Sequence, residues 1–249
     1  MLSPRLTAKE ESAFALAEGV LKLANDLIDA DVPDVVVVGA RSPKSLGFAL
    51  LCRSVSNFTG ALTMARQNQA MECLTLVRSC FENVLLVAGL CERGAEFVKD
   101  MRSDNAANLK AFSKLVRLGP DVVAYTEYIE FIDVQVQRFL AEYAEKKPKK
   151  LSLNEASEHF FSAYRHYRAL SHDPAHASLS ALARHFSPRH KLNVVPPFRP
   201  GERVAALDWG CEALLGVCMG VDMLMGGTAQ SEAIGAFKKR FVNETSEPA

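Results

Sequence analysis

Between Ala70 and Cys91 the apolar residues return every three or four positions, so that Ala70, Cys73, Leu74, Val77, Phe81, Val84, Ala88 and Cys91 form one stripe. That is the period of an α-helix, and a stripe of this length demands facing helices to cover it. The same spacing recurs in Phe14, Leu16, Val20, Leu23 and Leu27, in Leu50, Leu51, Val55, Phe58 and Leu62, and in Val204, Leu207, Cys211, Leu214, Cys218, Val221 and Met225. A chain of 249 residues with 49% apolar content can bury a substantial core. The expectation is an all-α fold, a helical bundle of about six to eight helices, with residues 1–249 as a single domain. Within it, 1–43 form an N-terminal helix and turn, 44–226 the main bundle including a proline-rich connector over 187–200, and 227–249 a tail.

Local signals divide the pattern. Ser3-Pro4 opens a first helix that ends near Pro33, and a second runs from Lys44 to about Ala65. After a bend at Arg66-Gln67-Asn68-Gln69, helices are expected over Ala70–Cys91, Ala95–Leu118 and Asp121–Ala144, followed by the solvated run EKKPKK. Ser152 and Glu155 form a capping box that starts a histidine-bearing helix. Asp173-Pro174 interrupts it and starts another, and Val204–Met225 is stopped by Gly226-Gly227.

Lys plus Arg equals Asp plus Glu at 29 each, which gives no broad attraction to nucleic acid or to an acidic membrane. The segment PDVVVVGARSPKSLG is not a nucleotide loop, because Pro43 stands where a second glycine is needed and removes an amide donor. The six cysteines fall inside apolar patterns without a Cys-x2-Cys pair and read as buried thiols in a reducing compartment. The N-terminus carries acids and lacks a secretory core. The longest apolar run, Leu214–Met225, is short for a bilayer and contains Asp222. The expected location is cytoplasmic, with no membrane partner.

All six histidines lie between His159 and His190, among arginines and tyrosines. Imidazole titrates nearest neutral pH, so chemistry, if present, is expected there. Arg165 and His172 are seven residues apart and nearly aligned on a helix. The break after His172 can bring His172 or His176 beside Arg165 and make a cationic corner. A metal reading rests on His172 with His176, and on Glu155, His159, Ser162 and His166 sharing a face; Pro174 interrupts the first set, and no HExxH motif is present. The plainer readings remain open too. His159 and His166 can cap packing, His185 and His190 face solvent, Tyr164 and Tyr167 are core residues with bonded hydroxyls, and Arg78 with Glu82 is an orienting pair or a site contact.

The stretch ALTMARQNQAMECLTLVRSCFENVLLVAGL, joined to YRALSHDPAHAS, resembles a bacterial helical family with no assigned function. Its members pair an Arg-x3-Glu helix with a later Tyr-x2-Leu-Ser and a His-x-Ser. The matching positions are Arg78, Glu82, Tyr167, Leu170, Ser171, His176 and Ser178, and the layout extends over Leu46–Met225. This resemblance implies a fold and not a reaction. A second one is to HEPN domains, helical proteins of toxin and antiphage systems, many of them metal-independent ribonucleases. Arg165, His166 and His172 match their Arg, polar residue and His, whereas Ser157 and Phe161 stand where related toxins carry Glu and Lys. The resemblance implies Arg165 as phosphate anchor and His172 as proton-transfer group.

The candidate catalytic residues are therefore Arg165, His172 and His176, and the candidate binding residues Arg78, Glu82, Tyr167, Arg168 and Ser171, with no cofactor and no metal. Two function classes stay open. One is an endoribonuclease that takes RNA through a local basic site. The other is a non-catalytic binding or assembly protein, with a homodimer formed through the Val204–Met225 helix, where Gly216 and Gly220 allow close approach. A histidine-rich metal-binding protein stands third.

Overall fold

The computed structural model describes residues 6–35, 41–120, 122–144, 147–153, 161–172, 178–186 and 191–246, with backbone alone at 31–35, 122, 161 and 240–246. The expectations on Ser3-Pro4, Glu155, His159, Asp173-Pro174, His176, Pro188 and His190 lie outside these residues.

Thr7 begins the first described helix. The Glu10 amide donates to its hydroxyl at 3.3 Å while the Thr7 amide donates to the Glu10 carboxylate at 2.8 Å, a reciprocal capping box. Helix α1 follows as Ala8–Val35. Helix α2 is Pro43–Arg66, capped by Ser42, whose hydroxyl accepts from the Ser45 amide at 3.1 Å. Pro43 sits in the first turn, where a missing N–H costs nothing. A turn with Asn68 at φ 59 leads into α3, Ala70–Arg93, and Gly94 at φ 53 separates it from α4, Ala95–Arg117. A 3-10 turn, Val122–Tyr125, precedes α5, Thr126–Tyr143. Then come α6, Phe161–His172, the short α7, Leu179–Ala183, α8, Glu202–Met225, and α9, Ser231–Ser246. No strand is present among the described residues; the one β-contact is an isolated bridge from Phe186 to Leu192. The chain is an all-α bundle.

The core is built round α3 and α8. Helix α3 packs on α2, α8 and α6, while α8 packs on α1, α2 and α3. Phe58, Phe81, Leu85, Leu207, Leu214 and Val221 are all but inaccessible to solvent. A Cβ on Gly220 would lie 2.2 Å from Val87 Cγ1, and one on Gly216 3.4 Å from Val84 Cγ2, so the pair of glycines brings α8 close against α3. Both helices have the length and hydropathy to cross a membrane, but most of each apolar window is buried inside the bundle.

Charged pins join the elements. Arg203 of α8, nearly buried, donates to Glu10 at 2.7 Å and to Asn68 Oδ1 at 2.5 Å, tying α8 to α1 and to the α2–α3 turn. Arg184 grips the Glu202 carboxylate through two bonds of 2.8 and 2.6 Å, fixing the end of α7 to the start of α8.

Several expectations change. The seam of α8 offered as a dimer contact is closed within the chain, since Leu207, Cys211, Leu214, Cys218 and Val221 lie in its own core. The segment read as a tail carries α9, with Ile234 buried and the Phe237 ring 3.3 Å from where a Cβ of Gly19 would stand. Cys52 is exposed because it sits off the apolar stripe of α2, and Cys91, at the end of its stripe, is half-buried in the wall of a cavity. A helix begins after Ser178, whose hydroxyl accepts from the Ala181 amide at 3.2 Å. His185 is half-buried, its Nδ1 2.8 Å from the Asn193 carbonyl oxygen, because the bridge between Phe186 and Leu192 folds the connector back over it.

Candidate functional site

Helices α3 and α6 run antiparallel, so contacts climb one as they descend the other. At one end Arg78 of α3 meets the last two turns of α6. Its Nε donates to Ser171 Oγ at 2.8 Å, its Nη2 to the Tyr167 hydroxyl at 2.9 Å, and its Nη1 to Glu82 Oε2 at 3.5 Å. The guanidinium also lies 4.7 Å from the centre of the Tyr167 ring. Ser171 Oγ donates onward to the Tyr167 carbonyl at 2.7 Å, and the Tyr164 ring stacks on that of Tyr167. Ser171 is buried, and Arg78 and Glu82 are 19% and 32% exposed, so the fork works in a partly dry setting with one carboxylate to balance it. The four residues Arg78, Glu82, Tyr167 and Ser171 come together as one clasp between the helices.

The other candidates do not join it. Arg165, Arg168 and His172 are exposed on α6. Stepping 100° per residue places Arg165 and His172 opposite the buried Ala163 and Leu170, about 10 Å apart along the axis. The helix stays regular through His172, and the corner expected beyond it, with His176, lies outside the described residues.

Farther along the same helix pair, an open cavity of about 780 Å³ lies between α3, α6 and α8. Val84, Val87, Leu215, Met219 and Met223 wall one end of it, and Ser162, Asp208, Trp209 and Glu212 stand toward the other. His166 of α6 packs against two of these wall residues, its ring 5.1 Å from Phe81 and 5.5 Å from Trp209. Its Nδ1 is buried without a hydrogen-bond partner, and Glu212 Oε2 stands 3.6 Å away. Sequence reasoning gave His166 a packing role, a place in the metal set or the polar position of the HEPN match, and passed over Asp208, Trp209 and Glu212. Their signal was available: two acids and the single tryptophan, within five residues, off the apolar seam of an otherwise greasy helix.

Among the described residues no group of three His, Cys, Asp or Glu could hold a metal ion. Glu155, His159 and His176, on which the metal reading drew, lie outside them. Burial pushes the Cys73, Cys80 and Cys218 thiols up to about 12, so they stay protonated at neutral pH and serve neither as nucleophiles nor as ligands. Cys91, in the cavity wall, is raised in the same direction by the same cause.

No curated protein and no solved structure matches the chain. A model described as a family of unknown function, DUF5677, matches residues 44–191, which spans α2 to α7 and includes the whole Arg78 clasp. More than half of the sequence is covered, and the chain belongs to that family.

Proposed function

We propose that this protein is a non-catalytic binding protein whose ligand enters the cavity between α3, α6 and α8. The observation that carries the reading is the cavity of about 780 Å³ itself, aliphatic toward Met219 and Met223, with Trp209 and Glu212 in its wall. A hollow of this size, with a mostly apolar wall and a few polar groups, suits a small amphiphile. The Arg78 clasp then serves as the brace that holds α6, and with it His166, against α3. The test is a titration of small amphiphiles followed by Trp209 emission and melting temperature. Binding by wild type that disappears in Ala88→Phe, which fills the wall, supports the reading; no response to any compound removes it.

A second reading is RNA cleavage. What supports it is that Arg165 and His172 share an outer edge of α6, both open to solvent and without bonding partners among the described residues. Guanidinium would anchor the phosphate and imidazole would move the proton as the 2′-hydroxyl attacks its own phosphodiester. Comparison of RNA cleavage by wild type and His172→Ala decides it, since activity unchanged by the substitution ends this reading.

Self-association finds support at a different place from α8. The α4–α5 hairpin exposes Phe112, Leu115, Leu118, Tyr128, Phe131 and Val134. Arg117 and Asp133 pair within the hairpin, which leaves Lys110 and Lys114 on α4 and Glu127 and Glu130 on α5, so a twofold that sets α4 of one copy on α5 of another joins opposite charges round an apolar centre.

A further inference from the structure

We propose that the ligand of the α3–α6–α8 cavity is a single-chain aliphatic amphiphile, its alkyl or acyl chain lying lengthwise along α8; this rests on the binding reading above and names its ligand class. The residues that α8 gives to the wall recur at each turn of one face, as Ala205, Trp209, Glu212, Gly216, Met219 and Met223. The hollow therefore follows that face for about 27 Å at 1.5 Å per residue. Helix α3 supplies a second stripe, Phe81, Val84, Ala88 and Cys91, over about 15 Å. The two stripes run side by side in the same direction, since a Cβ on Gly216 would meet Val84 and one on Gly220 would meet Val87 and Cys91.

A volume of about 780 Å³ drawn out along two helix faces is long and narrow. A flexible run of methylenes can fill such a space along its length, whereas a ring of the same carbon number is too wide and reaches only part of the wall. Small side chains leave the room: Ala88 on α3, Ala163 on α6, and Gly216 and Gly220 on α8 all line the hollow. The chemistry along α8 is ordered as an amphiphile requires. Its polar lining groups, Asp208, Trp209 and Glu212, fall in the first half, and from Leu215 to Met223 every lining residue is apolar. The head group then sits beside Trp209 and Glu212 and the tail runs toward Met223. Two thioethers one turn apart, Met219 and Met223, offer that tail an unbranched, adaptable surface.

The experiment measures binding of hexanol, nonanol, dodecanol and cyclododecanol to the full chain by calorimetry. Affinity is expected to rise about three- to fourfold with each added methylene from hexanol to dodecanol. Cyclododecanol, with the same number of carbons as dodecanol, should bind at least about tenfold more weakly than it does. Met219→Trp, at a 37% exposed position, blocks the path of the tail. It should leave hexanol binding unchanged and weaken dodecanol at least about tenfold. Met223→Trp, at a 69% exposed position farther out, should weaken dodecanol less and decides the point if the melting temperature shows Met219→Trp to be unfolded. If cyclododecanol matches dodecanol, if affinity stops rising at hexanol, or if the folded variants bind dodecanol as wild type does, the ligand class is wrong while the binding reading stands. If none of the four alcohols binds to wild type, the binding reading itself falls.

Discussion

Arg78 shows how much a single side chain can hold. Its fork reaches Ser171, Tyr167 and Glu82 from three different nitrogens, a geometry that lysine's single ammonium cannot copy. Arg78→Met should destabilise the fold by about 2–3 kcal/mol, since the Ser171, Tyr167 and Glu82 groups lose their donors, and Arg78→Lys should recover less than half; urea denaturation measures both. The thiols make a second prediction. For Cys73, Cys80 and Cys218 the folded value, about 12, lies above the ordinary 9.0, so their burial stabilises the protein fully below pH 9 and that contribution is lost as pH rises toward 12. Denaturation midpoints should fall through this alkaline window, and Cys80→Ala should fall less steeply. Alkylation of the native protein should mark the exposed Cys52 first and leave these three untouched. The sequence motif named Arg78, Glu82, Tyr167 and Ser171 correctly as a group that belongs together. Arg168, outside the motif but among the candidate binding residues, does not join them, because one residue along α6 turns the side chain by 100°, out to solvent.

At the scale of elements, periodicity located α1 to α5 and α8 closely, since each carries an apolar stripe against a polar remainder. The ends were less legible. Thr7 and Glu10 form a reciprocal box at the start of α1 that the sequence pattern alone had not singled out, because it takes the bonding between them to identify it. Helix α9 escaped notice because Ile234 and Phe237 make too sparse a stripe on their own and gain their meaning from α8 and α1. The contact of α8 with α3 depends on Gly220. Gly220→Ala would set a methyl 2.2 Å from Val87 Cγ1 and push the helices apart. We expect a loss of about 1–3 kcal/mol by thermal or urea unfolding, and recovery of part of it in combination with Val87→Ala.

For the whole molecule, the balance of apolar surface decides where partners can act. The α8 seam is consumed inside the bundle, whereas Leu115 and Leu118 on the α4–α5 hairpin stay 67% and 77% exposed. Light scattering is therefore expected to give a dimer that Leu115→Asp dissociates and Leu115→Ala weakens, with melting temperature little changed in either; a wild-type monomer at high concentration would rule out this surface for self-association. The sequence by itself determined the all-α class and most helix positions, because each follows from period and capping along one helix, while the grouping of Arg78, Glu82, Tyr167 and Ser171 came from the family resemblance. Only the tertiary structure decided that the histidine-bearing helix turns His166 inward and Arg165 and His172 outward, and that Trp209 and Glu212 of α8 meet His166. Those are relations between helices distant in the chain. Which face of one meets which face of another is set by packing volume and close approach, at Gly210 and Gly220 among others, and these are properties of the assembled core that no local pattern encodes.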